Sequence, residues 1–576
     1  MTTELIVVGA RLNSSRLPQK HLLPLAGVPL IEQVFKRLQA CKRKPLLVLA
    51  TTADDYNQPL ISWAREFGVE VFAYQGDVND LVARVDAVVE HYQPERIVYV
   101  CGDCPLVDSD FTDSLLQTLS AHKDWEGVTI DPSIHHHLIH EGILPFSYAG
   151  WKKVVRHSVT PLHREHVALA VAGSDILNVG PITVDERYCF KHRISVDTVA
   201  DYQFMDQVYQ RWYASNPVDS LVDLLWLKAE LAAGPALKNI NQHVMQKSGY
   251  KKYGKVVFVC EASSQKGLGQ LTRTLSIAQR LQEETGLGTE ILVLGDKLDL
   301  PSLRFNHVSW FSCESALCEQ LGNVDVSAVI VDVFPQRLIQ PQQWQHVLTA
   351  LKASNIKLLG LDQLYQWPQY FDAIIVPTLA YGGQKSPHIY AGPEYIFTQP
   401  RLTNHARIES NNLLVLTGGS DAFHYGQFLP CLLDEQLTAG TTVVWVQGPY
   451  AQGPKLPEQP RLHWQLIQAP DTLQPLIEQC DAAISVYGAS FFELLAAQVP
   501  SAVLLPEGMV SQAEIDVVVN NNLALLMSGE QDFSQIKTLL LESSVRKNIV
   551  AAMAGFTIGG GVKRTVDIVA DLLDQH

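Results

Sequence analysis

The sequence has few cysteines, few charged residues and fewer bases than acids. Nine cysteines among 576 residues are too few for a disulfide scaffold, so we expect a reducing, cytoplasmic environment. The 44 Lys and Arg residues against 60 Asp and Glu give a net charge of −16. Proteins that track nucleic acids or anionic membranes carry basic surfaces, so this balance argues against both kinds of partner.

Long hydrophobic segments are also missing. The most apolar uncharged segment, Leu494–Pro506, contains Gln498 and Pro500. It is shorter than the roughly 18–20 residues that span a bilayer as a helix, so no membrane span is predicted. The N-terminal apolar run covers only Leu5–Val8, which predicts no signal peptide. Hydrophobic residues still make up 47% of the chain, so we expect folded domains rather than disorder.

Apolar strand-like segments alternate with amphipathic helical segments along almost the whole chain. This rhythm predicts an α/β protein with mostly parallel sheets covered by helices. Polar segments interrupt it at 234–254, which we interpret as a linker, and at 399–412. We therefore predict three domains, 1–250, 251–400 and 401–576, of which the last two are Rossmann-like lobes flanking a cleft.

The loop after the first predicted strand is basic, although the chain is acidic. It carries Arg11, Arg16 and Lys20, and no acidic residue occurs between positions 4 and 32. Arg and Lys neutralise phosphate oxygens, and parallel sheets bind ligands at the carboxyl ends of their strands. The residues alone leave two interpretations open, a phosphate-binding loop and a solvated basic surface loop.

The loop sequence A-R-x-x-S-x-R-L-P-x-K, Ala10 to Lys20, resembles the signature of the CMP-sugar synthetases. These are the cytidylyltransferases that activate Kdo, sialic acid and related nonulosonates, and the spore-coat polysaccharide branch is the most similar. Further matches extend the resemblance over nearly all of residues 1–250. They are Gly27–Leu30, Gln75–Asp77 with Asp80 and Arg84, Cys101–Leu106, Arg164–Val167, Ser195–Thr198 with Asp201, and Ile240–Lys247.

This resemblance implies a GT-A-like Rossmann domain that transfers CMP from CTP to an acidic sugar and releases pyrophosphate. Catalysis of this kind is mostly positioning and charge neutralisation. Arg11, Arg16 and Lys20 would bind the phosphates, with Arg11, Lys20 and Asp103 as the catalytic residues. The other implied nucleotide- or sugar-binding residues are Ser14, Gly76, Arg84 and His166. The resemblance also implies a homodimer.

The resemblance assigns Asp103 and Asp197 to Mg²⁺. Each follows an apolar strand-like run, so both can converge on one side of the sheet. Oxygen ligands of this kind suit Mg²⁺. The usual alternative for a single Asp at a strand end is a helix cap or a turn residue. The acidic motif that relatives carry near the sugar pocket has no clear counterpart around 141–147, so the sequence does not specify the sugar.

Glycine-rich turns follow three predicted strands in the second half of the chain. Glycine lets backbone N–H groups approach phosphate at a helix N-terminus, so three such turns predict a nucleotide-diphosphate site. A plain turn is the alternative for each one alone, and Ser490 with Glu493 also has the spacing of a capping box. The glycines are Gly267, Gly269, Gly418, Gly419 and Gly488.

These residues resemble the UDP-sugar hydrolase of pseudaminic acid synthesis and its spore-coat relative, in the GT-B-like group. The resemblance covers roughly 255–576 and includes Gly392–Tyr395, Asp332 and Asp362. It implies a two-lobed GT-B-like Rossmann module that binds a UDP-sugar. The implied binding residues are Gly267, Gly269, Arg273, Gly418, Gly419, Ser420, Asp421, Gly488, Ser490, Glu493 and Gln512.

One departure concerns the catalytic residue of that hydrolase. Gln270 stands where the family has a histidine, and Ser511 stands where an asparagine is usual. Glutamine cannot exchange a proton near neutral pH, although it can orient a water. The second half therefore has three open interpretations: an altered hydrolase in which Gln270 is the catalytic position, a glycosyltransferase, and a noncatalytic nucleotide-sugar scaffold.

Two further patterns favour structural interpretations. Cys101-x-x-Cys104 has no second pair, which makes a metal or redox site the weaker hypothesis. The histidines at 135–137 and 140 are nearly consecutive, so we expect a solvated loop. Taken together, the two resemblances imply a bifunctional enzyme of bacterial surface-glycan synthesis, of the pseudaminic or legionaminic type.

Overall fold

The computed structural model describes residues 3–130, 137–138, 142–245, 254–263, 267–339, 342–398, 412–470, 472–506, 510–527 and 534–574. The chain divides into two compact units, Met1–Tyr253 with Gln282–Gly286, and Gly254–Leu281 with Leu287–His576. The histidines at 135, 136 and 140 lie outside the described residues. Among the helices described, none is both long and apolar enough to cross a membrane.

The first unit is built on a seven-stranded sheet in the order β10-β7-β9-β6-β1-β4-β5. Only β9 runs antiparallel to its neighbours in this sheet. Two further pairs of strands, β2 with β3 and β8 with β11, form separate two-stranded sheets. The strands of the first unit are β1 (Glu4–Gly9), β2 (Pro24–Leu25), β3 (Val28–Pro29), β4 (Leu46–Thr52), β5 (Glu70–Tyr74), β6 (Arg96–Cys101), β7 (Gly127–Ile130), β8 (His137–Leu138), β9 (Ile143–Ser147), β10 (Val179–Ile182) and β11 (Cys189–Phe190). The helices are α1 (Leu30–Gln39), α2 (Gln58–Phe67), α3 (Leu81–Tyr92), α4 (Ser109–Ala121), α5 (Tyr148–His157), α6 (Pro161–Glu165), α7 (Val199–Tyr213), α8 (Leu224–Ala233) and α9 (Pro235–Lys238).

The second unit contains two all-parallel sheets. Their orders are β14-β13-β12-β15-β16-β17-β18 and β21-β20-β19-β22-β23-β24. In each, the first strand lies centrally and the order reverses beside it, which is the doubly wound Rossmann arrangement. The strands are β12 (Lys255–Ala262), β13 (Gly288–Gly295), β14 (Val308–Phe311), β15 (Ala328–Asp332), β16 (Lys357–Leu361), β17 (Ala373–Pro377), β18 (Ile389–Gly392), β19 (Asn412–Leu416), β20 (Thr442–Gln447), β21 (His463–Gln468), β22 (Ala482–Val486), β23 (Ser501–Leu504) and β24 (Leu525–Met527).

The helices of this unit cover both sheets. They are α10 (Gly269–Thr285), α11 (Glu314–Gly322), α12 (Gln336–Ile339), α13 (Gln342–Ala353), α14 (Leu429–Gln436), α15 (Gln474–Gln479), α16 (Ala489–Ala496), α17 (Gln512–Asn520), α18 (Ser534–Leu541), α19 (Ser543–Gly555) and α20 (Gly561–Asp574). The predicted fold class, one mixed α/β domain joined to two Rossmann-like lobes, is confirmed.

The prediction of a linker at 234–254 is wrong for its first part. Residues 235–238 form α9, and both Leu237 and Asn241 are buried. Asn241 donates a hydrogen bond to the buried Asp201, 2.9 Å away. The segment is polar because it satisfies buried polar groups of the first unit, which composition alone cannot distinguish from a solvated linker.

Trp151 of α5 anchors the core of the first unit against the sheet. Its side chain is fully buried, lies edge-on to Phe146 of β9, and donates from Nε1 to Asp86 at 2.9 Å. We expect Trp151→Ala to lower the free energy of unfolding by about 3–5 kcal/mol, because it leaves a large cavity and removes one of the hydrogen bonds to Asp86, which keeps its ion pair with Lys152. Hydrogen exchange of peptides from β6 and β9, measured by mass spectrometry, checks this.

Trp63→Ala, at a half-buried position of α2, is the matched control and should reduce protection less. Equal protection of β6 and β9 in Trp151→Ala and the wild type would contradict the assignment of Trp151 to the core.

Candidate active site

Lys20 is the centre of a charged cluster at the carboxyl end of the first sheet. Its ammonium lies 2.6 Å from Asp103 Oδ2, 2.8 Å from Asp197 Oδ1 and 2.9 Å from the carbonyl of Val196. The side chain is only 7% exposed. All three ammonium donors therefore have acceptors, and nearly all of the charge is shielded from water.

Asp103 and Asp197 reach this point from distant parts of the chain. Asp103 follows β6, and Asp197 immediately precedes the N-cap of α7. A backbone hydrogen bond of 2.9 Å, from Val196 N to Asp103 O, joins the two segments. The structure thus brings the two predicted metal ligands together around one cation.

Asp197 is held by three bases. Its Oδ1 faces Lys20 and, at 2.9 Å, Arg16, while its Oδ2 accepts from Arg193. Burial alone would raise the pKa of this carboxyl, but the charges of Arg16, Lys20 and Arg193 outweigh it and hold the pKa well below its usual range. Asp197 is therefore an anion whose charge is already balanced by the protein.

Arg11 lies with Arg84 rather than on the two carboxylates. Both guanidiniums donate to the carbonyl of Val78 at 2.8 Å, and Arg11 also donates to Asn79 at 2.7 Å. Arg84 is 2% exposed, and burial lowers its pKa to about 10. Two cationic side chains thus converge on the segment between β5 and α3.

The other predicted residues of this unit surround these two clusters. Asp80 caps α3 and accepts from Arg164 at 2.7 Å, which joins two of the sequence motifs. Ser14 accepts from Leu17 N within the basic loop. Gly76 follows β5, and His166 is exposed after α6.

The two cysteines of the CxxC pattern are half-buried free thiols. Burial raises the pKa of Cys101 to about 12 and that of Cys104 well above its usual range. No group of three or more metal-ligating side chains occurs in the part of the chain that the structure describes.

In the second unit, the glycine turns of the two sheets face each other. Gly267 and Gly418 have φ of +81° and +90°, a left-handed conformation that favours glycine. A Cβ on Gly267 would lie 3.7 Å from Ser420 Oγ, and one on Gly419 would lie 3.2 Å from Leu268. The turns after β12 and β19 are therefore in contact, and Gly269 opens α10 at this place.

Arg273 is engaged by carboxylates. It donates to both oxygens of Asp332, at the end of β15, and to Asp362 at 3.0 Å, directly after β16. Asp332 is buried, which raises its pKa despite the charge of Arg273. In this structure the guanidinium therefore ties α10 to the strand ends.

Gln270 lies one turn before Arg273 on α10. Its Oε1 is buried and has no hydrogen-bond partner among the described residues. A buried acceptor without a donor costs stability, so such an atom marks a place where a water or a ligand donor is favourable.

Gly488 caps α16, which begins at Ala489 without a side-chain cap. Ser490 therefore lies inside the first turn, and the capping-box alternative for Ser490 and Glu493 does not apply. Burial raises the pKa of Glu493 to about 7. The capping box of this region is formed instead by Ser511 and Glu514 at the start of α17.

Two predicted residues make bonds within the protein. Asp421 accepts from the backbone N–H groups of Tyr425 and Gly426 at 3.0 and 2.8 Å, which stabilises the turn after β19. Gln512 is exposed and donates to Asp516 at 2.8 Å.

Comparisons with known proteins show what the first unit is similar to. Residues 5–240 match the family model described as cytidylyltransferase. Spore coat polysaccharide biosynthesis protein SpsF of Bacillus subtilis is 25% identical over 219 residues, 37% of this chain and 88% of that protein. The 3-deoxy-manno-octulosonate cytidylyltransferase of Pseudomonas syringae is 32% identical over 122 residues, which is 21% of this chain and about half, 46%, of that enzyme.

Among solved structures, Acinetobacter baumannii MurG aligns with 55% of this chain over 99% of its own length, at 14% identity and a TM-score of 0.38. The strand order of the second unit, rather than this likeness, defines its fold. The resemblance of the N-terminal part to cytidylyltransferases of CMP-sugar and polysaccharide synthesis is confirmed.

The sequence patterns did not single out His21, which lies behind the basic loop. It is 4% exposed, and its Nδ1 is 2.9 Å from the carbonyl of Arg11. Burial, followed by the charge of Lys20, lowers its pKa to about 3. Its only connection with the loop signature in the sequence is that it directly follows Lys20.

The low pKa of His21 predicts a loss of stability in acid. The unfolded chain takes up a proton at this histidine near its usual pKa of 6.5, whereas the folded protein does so only near 3. Between those values the free energy of unfolding should fall by up to about 1.4 kcal/mol per pH unit from this group. We expect His21→Gln to remove that contribution, as measured by urea unfolding across this pH range.

The control is His91→Gln, at an exposed position of α3, which should keep the slope of the wild type. An identical slope in His21→Gln and the wild type would show that His21 titrates alike in both states.

Proposed function

We propose that this chain is a nucleotide-sugar enzyme of bacterial surface-glycan synthesis, whose first unit transfers CMP from CTP to a nonulosonic acid. The observation that carries the proposal is the Lys20 ammonium bridging Asp103 and Asp197, at the sheet edge where α/β proteins bind ligands. The cytidylyltransferase match over 5–240 supports it.

In this proposal a hydroxyl of the acidic sugar attacks the α-phosphorus of CTP, and pyrophosphate leaves. Arg16 and Lys20 exchange their carboxylate partners for phosphate oxygens, so that the loop follows the triphosphate. Arg11 and Arg84 form a second cationic pair beside the loop. Such positioning and charge neutralisation account for most of the catalysis of phosphoryl transfer.

The donor set around Lys20 fits a magnesium ion. Asp103 and Asp197 already direct carboxylate oxygens at one cation, and Mg²⁺ combines one or two carboxylates with phosphate oxygens. Bound Mg²⁺ would neutralise charge on the reacting phosphates. Lys20 would then be free to bind phosphate, so Asp103 and Asp197 are the proposed magnesium ligands.

If the first unit is a cytidylyltransferase, it should release pyrophosphate from CTP in the presence of one acidic sugar. We expect activity with a member of a panel of pseudaminic, legionaminic and sialic acids and Kdo. Asp103→Asn should lower it at least about a hundredfold, because the variant loses a carboxylate that is proposed to bind Mg²⁺. Pyrophosphate release in the presence of Mg²⁺ is the measurement.

Asp110→Asn, on the exposed start of α4, is the control and should retain activity. Turnover of Asp103→Asn near that of the wild type would rule out the assigned site. Failure of the wild type to bind CTP would rule out the nucleotidyltransferase proposal.

For the second unit we propose a UDP-sugar site formed by the glycine turns and Glu493. The apposed turns at Gly267 and Gly418 provide backbone N–H groups, and the uncapped start of α16 provides more. Gln270 is proposed to orient a water or a substrate group, because its buried oxygen has no partner among the described residues. We further propose a cytoplasmic homodimer, on the resemblance alone.

Glu493 makes the proposed binding dependent on pH. Its pKa of about 7 means that the carboxylate, the better acceptor for sugar hydroxyls, predominates only above neutrality. UDP-N-acetylglucosamine, a pyrophosphate diester of constant charge in this range, should bind about five- to tenfold tighter at about pH 8 than at about pH 6. Calorimetric titration measures this.

Glu493→Gln should abolish the pH dependence, and Glu435→Gln, at an exposed position of α14, should retain it. A wild-type affinity that does not vary with pH would contradict the role of Glu493.

Following the bound nucleotide sugar over time distinguishes the open alternatives for the second unit. Release of UDP in water indicates a hydrolase, and release of UDP only with an acceptor indicates a transferase. No release of UDP indicates a scaffold.

A further inference from the structure

A second layer of charged residues lies behind Asp197, on the side away from the basic loop residues. Arg193 donates through its terminal nitrogen to Asp197 Oδ2, and its Nε lies 3.0 Å from both oxygens of Asp201. Arg193 is only 10% exposed and Asp201 is completely buried. Arg193 therefore bridges two carboxylates that are four residues apart.

Asp201 is fixed by the start of α7. It is the third residue of a capping box with Thr198, and its Oδ2 accepts from the backbone N–H of Asp197 at 3.1 Å and of Thr198 at 3.2 Å. The same carboxylate thus holds the backbone of Asp197 directly and its side chain through Arg193. A buried carboxylate with this many donors cannot turn without leaving several of them unpaired.

The tail of the first unit completes this layer. Asn241, which is fully buried, donates to Asp201 Oδ1 at 2.9 Å, and its own Oδ1 lies 2.6 Å from His192 Nε2. These two contacts fix the position of Asn241, which belongs to the tail motif at 240–241. The tail therefore supports Asp201 at Oδ1, whereas the backbone N–H groups of Asp197 and Thr198 bind Oδ2.

The three bases around Asp197 therefore differ in the other groups that bind them. Arg16 and Lys20 belong to the loop that is proposed to move onto the triphosphate. Arg193 is held by Asp201 as well as by Asp197. When the loop bases leave, Arg193 is the base that still holds Oδ2, so Oδ1 keeps facing the substrate side.

We infer that Arg193 and Asp201, supported by Asn241, are positioning residues that keep Asp197 Oδ1 oriented toward the nucleotide and its metal. This inference rests on the proposed function of the first unit. Residues behind a metal-binding carboxylate commonly change metal affinity about 10- to 100-fold when they are altered. A purely structural role, in which the layer only stabilises α7, predicts no such effect.

The test is calorimetric binding of CTP to the full chain, with and without Mg²⁺, in the wild type and in Arg193→Gln. We expect Mg²⁺ to tighten CTP binding in the wild type, and Arg193→Gln to lose about tenfold or more of that enhancement. Binding of CTP without metal should change less than about threefold, because Arg16 and Lys20 are unaltered.

Two further variants separate positioning from stability. Arg193→Lys keeps the charge but cannot bridge both carboxylates in the same way, so it should lose an intermediate part of the enhancement, and it remains informative if Arg193→Gln fails to fold. Arg37→Gln removes another buried arginine, which donates to the carbonyls of Val107 and Val222, and should keep the full enhancement.

An enhancement of wild-type size in the Arg193 variants would overturn the inference and leave the proposed function intact. The same loss in Arg37→Gln would also overturn it, since the effect would then follow from stability. No magnesium effect in the wild type itself would overturn the proposed metal site together with this inference.

Discussion

The ammonium of Lys20, bonded to two carboxylates and one carbonyl, is the interaction on which the candidate site depends. Desolvating three charges in one place is costly unless each finds a partner, and here each does. This mutual neutralisation lets Asp103 and Asp197 lie close together in an otherwise acidic chain. It also means that substrate binding is an exchange of partners, with phosphate replacing carboxylate on the bases.

Paired charges also surround Asp197 on the side of Arg193. Arg193, Asp201 and Asn241 form a buried polar layer in which every charge meets an opposite charge or a donor. Networks of this kind are stable only when complete, so they fix the geometry of the groups at their surface. In the second unit, the ion pairs of Arg273 with Asp332 and Asp362 play a comparable part by joining α10 to the strand ends.

Local periodicity predicted the fold well. The predicted alternation of strands and helices is observed in all three domains, and a helix boundary such as that of α3 at Leu81 is set by its cap, Asp80. The linker prediction failed at α9 and Asn241, where a polar composition reflects buried pairing rather than solvation. The alternative of a capping box at Ser490 and Glu493 is not realised, because Gly488 is the N-cap of α16 and makes no side-chain cap.

From the sequence alone, the two classes of domain and the charged residues of the candidate site can be predicted, because strand periodicity and the basic loop are local patterns. Only the tertiary structure decided that Lys20, Asp103 and Asp197 share one point, that Arg11 lies with Arg84, and that Arg273 is engaged by carboxylates. His21 and Arg193 acquire their significance only from burial and from partners. The physical reason is that hydrogen bonds and desolvation act between side chains brought together by the sheet, whereas sequence spacing reports only on neighbours along the chain.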